Sequence, residues 1–383
     1  MLRRREEVRR RTRRRGLRPA LVLVVVLALL AVPAVSFARA MTYPGNAPAS
    51  VRAVEWVRDH GGGGLVDRVE NWWYTRHRPA AAGAGQDRLN LAGSTPARPV
   101  PAAPSAGPRD VLPKVALLGP GQPGEGVWAV SSRAQSGRPL LYTTFLHPDA
   151  KYRSVVAGVA LVPQRTTALH LAPGTREPAA GAFPVAATQV PAPDRPGLVA
   201  VFNSGFKTRD SEGGWYSNGH AVAPLRDGAA SLVLDQQGRA RVEAWQQADM
   251  TGQVAAVRQN LHLVVDGGQP VPGLDTNAHG RWGSRRNQLQ YTWRSGVGTD
   301  RAGDLVYVVG KDMTLQTLAQ AMADAGVVTG MELDIHTHMV AFNSFPQPSV
   351  AAGAGNRLLQ DMVAPPNRYL VPDQRDFFYV TAK

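Results

Sequence analysis

An α+β fold, with a mixed β-sheet core and few helices, is what this sequence predicts for its larger part. Three observations predict it. From about Lys114 onward, short apolar segments alternate with turn residues, the texture of strands joined by tight connections. One strongly periodic helix, Leu315 to Ala325, interrupts them. Behind that helix the stretch Gly330 to His338 alternates Met331, Leu333 and Ile335 with Glu332, Asp334 and His336, which is the period of a half-buried strand. Many strands with few helices make a layered α+β domain.

The strands are read in order. Gly126–Val130 and Pro139–Phe145 flank a Ser-Gly-Arg turn and predict a hairpin. Val155–Val162 is a third strand, and Leu198–Phe202 a short, wholly apolar one. Ala230–Asp235 and Arg239–Trp245 make a second hairpin, and Leu305–Val309 follows. Thr314 is placed to cap the helix and Gly326 to end it, with Leu315, Leu318, Ala319 and Met322 as its buried stripe. Phe377–Val380 returns a last strand.

Ahead of this domain the composition changes. The formal charge of +14 is concentrated in residues 1–18, a basic tail with ten Arg and two Glu. Such a tail suits nucleic acid, but an apolar run follows at once, and arginines flanking a hydrophobic segment stay on the cytoplasmic side. No nucleic-acid partner is therefore expected. Residues 19–37 have about the 20-residue length that crosses a bilayer and predict a transmembrane signal-anchor. Ala38-Arg39-Ala40 leaves open a cleaved signal peptide. Either way the C-terminal domain is expected to be extracytoplasmic, in the cell envelope, and the uncleaved anchor would tether it to the membrane by a single pass. The absence of cysteine excludes a disulfide framework and thiolate chemistry.

Residues 41–78 predict a helical stalk, with Ser50 as a cap and a break at Gly61–Gly64. Trp56, Trp72, Trp73 and Tyr74 suit either a membrane surface or packing of the two helices on each other or on the main domain. Residues 79–113 are rich in Ala, Pro and Gly, with too little large apolar surface to offset ordering, and read as a linker. The main domain is then 114–383.

The chemistry centres on Glu332, Asp334, His336 and His338. On a regular strand these would share one face at a spacing of about 6.6 Å. Two carboxylates and two imidazoles gathered that way are costly unless they bind something or one another. Asp334, His336 and His338 form a candidate set for a divalent metal such as Zn²⁺ or Mn²⁺; otherwise no cofactor is required. Upstream, the strand Val199–Phe202 runs into Asn203-Ser204-Gly205-Phe206, where Asn203 offers donor and acceptor and Gly205 permits close backbone approach. Trp215 and Tyr216, in a Gly-rich loop, are candidates for stacking on a sugar. Arg294, in Arg294-Ser295-Gly296-Val297-Gly298, is a candidate phosphate ligand.

Taken together, Asn203-Ser204-Gly205-Phe206, Arg294-Ser295-Gly296-Val297-Gly298 and the helix leading into Leu333-Asp334 resemble the phosphodiester glycosidase family over about Val115 to Phe345. The resemblance implies an exported α+β domain that hydrolyses a sugar-1-phosphate diester, with a glycan or sugar phosphate as substrate. The chain departs from the family at Ser204, where a second glycine is usual, and at Ile335-His-Thr-His338, where a glycine run is usual. On this reading Asp334 acts as base or nucleophile, Glu332 or His336 as its acid/base partner, and Arg294 holds phosphate. Asn203, Ser204 and Gly205 would orient the substrate, with Arg258 and Asn260 as further contacts. Three other readings stay open: a non-catalytic module that binds envelope polysaccharide through Trp215 and Tyr216, a metal-dependent hydrolase using Asp334, His336 and His338, and a structural scaffold of the cell surface.

Overall fold

The structure is a computed structural model that describes residues 31–43, 45, 47–80, 112–284, 288–346 and 355–383. The expected basic tail, most of the expected membrane span and nearly all of the linker lie outside these residues. Among the described residues no helix is long and apolar enough to cross a membrane. The chain divides into two compact units, 1–66 and 67–383, and the boundary falls within the second stalk helix.

In the first unit, residues 31–42 are helical and Ala49–Val57 forms a second helix. Pro48 is its N-cap residue, so Ser50 sits inside the first turn instead of capping it. The indole of Trp56 meets Phe37 edge-on at 5.2 Å and donates to the Ser36 hydroxyl at 3.1 Å. The helical path breaks at His60 and Gly61, where Gly61 takes φ 87°, and Gly63–Arg76 resumes it.

In the second unit, three sheets and one buried helix surround the core. The largest sheet has eight strands, in the order Ala129–Arg133, Pro139–Leu146, Ala157–Val162, Leu305–Met313, Thr292–Asp300, Val327–Ile335, Leu263–Asp266 and Gln269–Pro270. A second sheet orders Asn356–Arg357, Phe342–Ser344, Leu198–Asn203, Phe377–Ala382 and Thr167–Ala172. The third orders His220–Ala223, Trp215–Ser217, Val254–Gln259, Ala230–Asp235 and Ala240–Ala244.

The inner face of the large sheet, through Ala160, Val297, Tyr307, Met331 and Leu333, packs on Phe202, Phe342 and Phe378 of the second sheet and on Leu232 and Val242 of the third. Its other face carries the helix Leu315–Asp324. Leu315, Leu318, Ala319 and Met322 there are buried against Val264, Val306, Val308 and Val327. The Thr314 hydroxyl accepts from Thr317 N at the start of this helix, and Gly326 turns the chain out of it at φ 90°.

Where the sequence predicts a mixed sheet, every strand pairing among the described residues is antiparallel. The reason lies in the one helical crossover. Leu305–Met313 and Val327–Ile335 run in the same direction, but Thr292–Asp300 lies between them and pairs with both. Gly296 and Gly298 keep that middle strand free of side chains where the helix and its neighbour press on it. A Cβ on Gly296 would stand 2.6 Å from the Met322 sulfur.

Candidate active site

The strand Leu198–Asn203 is buried along its whole length and delivers Asn203 to the centre of the molecule. Asn203 Oδ1 accepts from the Tyr307 hydroxyl at 2.9 Å and from Ala341 N at 3.0 Å. Its Nδ2 donates to Ser204 O at 2.9 Å and to Ser295 Oγ at 3.0 Å. Ser295 Oγ donates onward to Asp334 O at 2.7 Å. Burial pushes the Tyr307 hydroxyl well above its ordinary value, so it keeps its proton as the donor to Asn203. Asn203 thus ties the loop 203–206 to the end of the Val327–Ile335 strand through one serine.

The next residues complete that loop. Ser204 O accepts from Asp334 N at 3.0 Å, and the buried Ser204 hydroxyl has no hydrogen-bond partner among the described residues. Gly205 lies so close to Asn260 that a Cβ would come within 2.8 Å of its Cγ. Asn260 Oδ1 accepts from Phe206 N at 3.2 Å, and its Nδ2 donates to Glu332 O at 2.8 Å. Arg258 is fully buried: its Nε donates to Asp376 at 2.7 Å and its Nη2 to Phe206 O at 2.5 Å.

The two carboxylates expected on one face take different partners. Between the pairs Arg294–Ile335 and Gly296–Glu332 the register shifts, which interrupts the simple alternation. Glu332, fully buried, forms an ion pair with Arg294 Nη1 at 2.6 Å and accepts from Gln288 Nε2 at 3.1 Å. Arg294, also fully buried, donates further to Met313 O at 2.8 Å and to Gln288 Oε1 at 2.6 Å. Burial raises the Glu332 carboxyl and lowers the Arg294 guanidinium, each opposed by the other's charge. Asp334 instead meets Arg375: Nη2 donates to Asp334 Oδ2 at 2.8 Å, while Asp334 Oδ1 accepts from Ile335 N at 2.9 Å.

His336 and His338 lie beyond the strand, which ends at Ile335. His336 has φ 76°, an uncommon conformation for a residue with a side chain. Its Nδ1 is 3.1 Å from Thr292 Oγ1, its ring stacks on Tyr74 at 5.6 Å, and its Nε2 is 3.9 Å from Glu70. The carbonyl of His338 accepts from Arg368 at 2.9 Å, and burial together with that guanidinium lowers its imidazole below the ordinary value. Among the described residues no three His, Asp or Glu side chains converge to hold a metal ion, so Asp334, His336 and His338 do not gather as the spacing suggested. Trp215 is buried at 1% exposure against Phe183, and Tyr216 is half-buried beside it.

Sequence reasoning missed the segment Arg368 to Asp376. Arg368 pairs with Asp373 at 3.0 Å, Arg375 with Asp334, and Asp376 with Arg258. The available signal was the polar run Asp373-Gln-Arg-Asp376 set directly against the apolar Phe377–Val380.

The fold and site define a sheet-rich α+β domain whose strand-end carboxylate is held by a buried guanidinium network. Residues 196–364 match the model of the phosphodiester glycosidase family, a span that contains Asn203, Arg258, Asn260, Arg294 and Asp334. Among solved structures, the chain is similar to the catalytic domain of zebrafish N-acetylglucosamine-1-phosphodiester alpha-N-acetylglucosaminidase, auto-inhibited by its pro-peptide. That match has 16% identity and a TM-score of 0.42, and covers 67% of this chain and 87% of that one. A hypothetical protein from Synechocystis matches at 13% identity and a TM-score of 0.37, over 60% of this chain and 59% of its own. A putative exported protein from Burkholderia pseudomallei matches at 13% identity and a TM-score of 0.28, over 60% and 74%. No curated protein matches the chain.

Proposed function

We propose that this chain hydrolyses the C1–O bond of a sugar-1-phosphate diester, with Asp334 as the catalytic carboxylate. The observation that carries the reading is the placement of Asp334. It closes the strand that follows the Gly326-terminated helix, bonded to Ser204 and joined through Arg375 to Gly205, within the span that matches phosphodiester glycosidases. Cleavage of that bond passes through an oxocarbenium-like state, which a carboxylate near the anomeric carbon stabilises or attacks. Phosphate leaves readily, so charge neutralisation suffices on the departing side. Arg294 and Glu332, expected to hold phosphate and to act as acid or base, instead form a buried strut that fixes the strand end, because each is the other's partner and neither is exposed. Residues 19–37 are read as a membrane anchor that places the domain outside the cytoplasm, with a glycan of the envelope as substrate; their apolar length and the arginines before them support this.

The test is turnover of a panel of sugar-1-phosphate diesters by the full chain and by D334N. The substituted chain is expected to lose hydrolysis while keeping its unfolding transition. Equal turnover by both proteins removes Asp334 from the chemistry.

A further inference from the structure

The family match ends at residue 364, and three buried ion pairs draw on residues just beyond it, two of them reaching back to Arg258 and Asp334 inside the match. Arg375 is the one that reaches Asp334. Its Nη2 donates both to Asp334 Oδ2 at 2.8 Å and to Gly205 O at 2.9 Å, so one nitrogen joins the carboxylate to the Asn203–Phe206 loop. Arg375 is itself anchored, because its backbone N donates to Asp373 Oδ1 at 2.9 Å. Arg368 holds the same carboxylate at 3.0 Å and donates to the carbonyls of His338 and Met339 at 2.9 and 3.2 Å. The Arg368–Asp373 pair therefore pins Arg375 to the turn that follows Asp334.

We propose that Arg375 is the positioning residue of the reaction, aiming Asp334 and holding it ionised, so that Asp334 serves as base or nucleophile and not as proton donor. The inference rests on the reading of Asp334 given above. A guanidinium at hydrogen-bond distance favours the charged form of a carboxyl group. Both oxygens of Asp334 also accept hydrogen bonds, one from Arg375 and one from Ile335 N, and donors aimed at the carboxylate favour its charged form, against the like charge of Glu332.

Two substitutions in the full chain separate charge from shape: R375Q keeps donors and loses the charge, while R375K keeps the charge. The Asp334 side-chain carboxyl is followed by carbon-13 NMR in protein labelled at aspartate, with D334N identifying its signal. The pH dependence of kcat/KM on a sugar-1-phosphate diester is measured alongside. In R375Q the Asp334 titration and the acid limb of the rate profile are both expected to move up by about one pH unit or more. R375K is expected to leave them near wild type. An Asp334 signal that titrates unchanged in folded R375Q overturns the proposal. Absence of turnover in the wild-type chain overturns the hydrolase reading alone, since the NMR titration needs no substrate.

Discussion

At the scale of single residues, Gly205 shows how closely the site is built. An alanine there would place its Cβ 2.8 and 2.9 Å from Asn260 Cγ and Cβ. Asn260 cannot swing aside without losing its bonds to Phe206 N and Glu332 O, and Glu332 belongs to the strand that ends in Asp334. The backbone must yield instead. Overpacking of this kind costs about 1–3 kcal/mol, so G205A is expected to lower the thermal midpoint and to weaken turnover through Asp334. An unchanged midpoint in a calorimetric scan would mean that the loop has room the structure does not show. Ser204 differs: the residue is buried at 2% exposure, and its hydroxyl has no partner among the described residues.

At the scale of elements, local chemistry was legible and distant pairing was not. The helix Leu315–Asp324 could be read because its cap at Thr314, its stop at Gly326 and its apolar stripe all lie within its own sequence. The alternation through Leu333 and Ile335 correctly gave a strand. Its faces were misjudged, because the register shift against Thr292–Asp300 depends on a partner strand. Arg375 was invisible for the same reason, its carboxylate partner being 41 residues away.

The first hairpin supplies a test at this scale. Glu125 accepts from Gln122 N at 2.8 Å and from His147 N at 2.9 Å, joining the turn before the hairpin to the end of its second strand. Burial pushes this carboxyl up, but those amides and the His147 ring outweigh it and hold it below its ordinary value. A depressed folded-state value means the stabilisation is complete above the unfolded value, about 4.3, and is lost as pH falls through the folded one. Urea midpoints for wild type are therefore expected to drop as pH falls below about 5, and less steeply in E125Q. Parallel slopes for the two proteins would discard this role for Glu125.

For the whole molecule, the family match and the folding unit have different limits. The match stops at residue 364, yet Phe377–Ala382 lies inside the second sheet, paired on one side with Leu198–Asn203 and on the other with Thr167–Ala172. Phe377, Phe378 and Val380 are fully buried and Tyr379 nearly so. At about 1.5–3 kcal/mol for each large apolar side chain removed from water, the four contribute roughly 6–12 kcal/mol as an upper estimate. Domains of this kind are stable by only about 5–15 kcal/mol in total. Ending the chain at residue 364 also strips two strands of their hydrogen-bond partners and leaves Arg258 without Asp376 and Asp334 without Arg375. The truncated chain is expected to show no cooperative unfolding transition by near-ultraviolet circular dichroism, whereas the full chain shows one. A sharp transition in the truncated protein would mean that the chain up to residue 364 folds without the C-terminal strand, and that this strand and its ion pairs are additions to a core already complete.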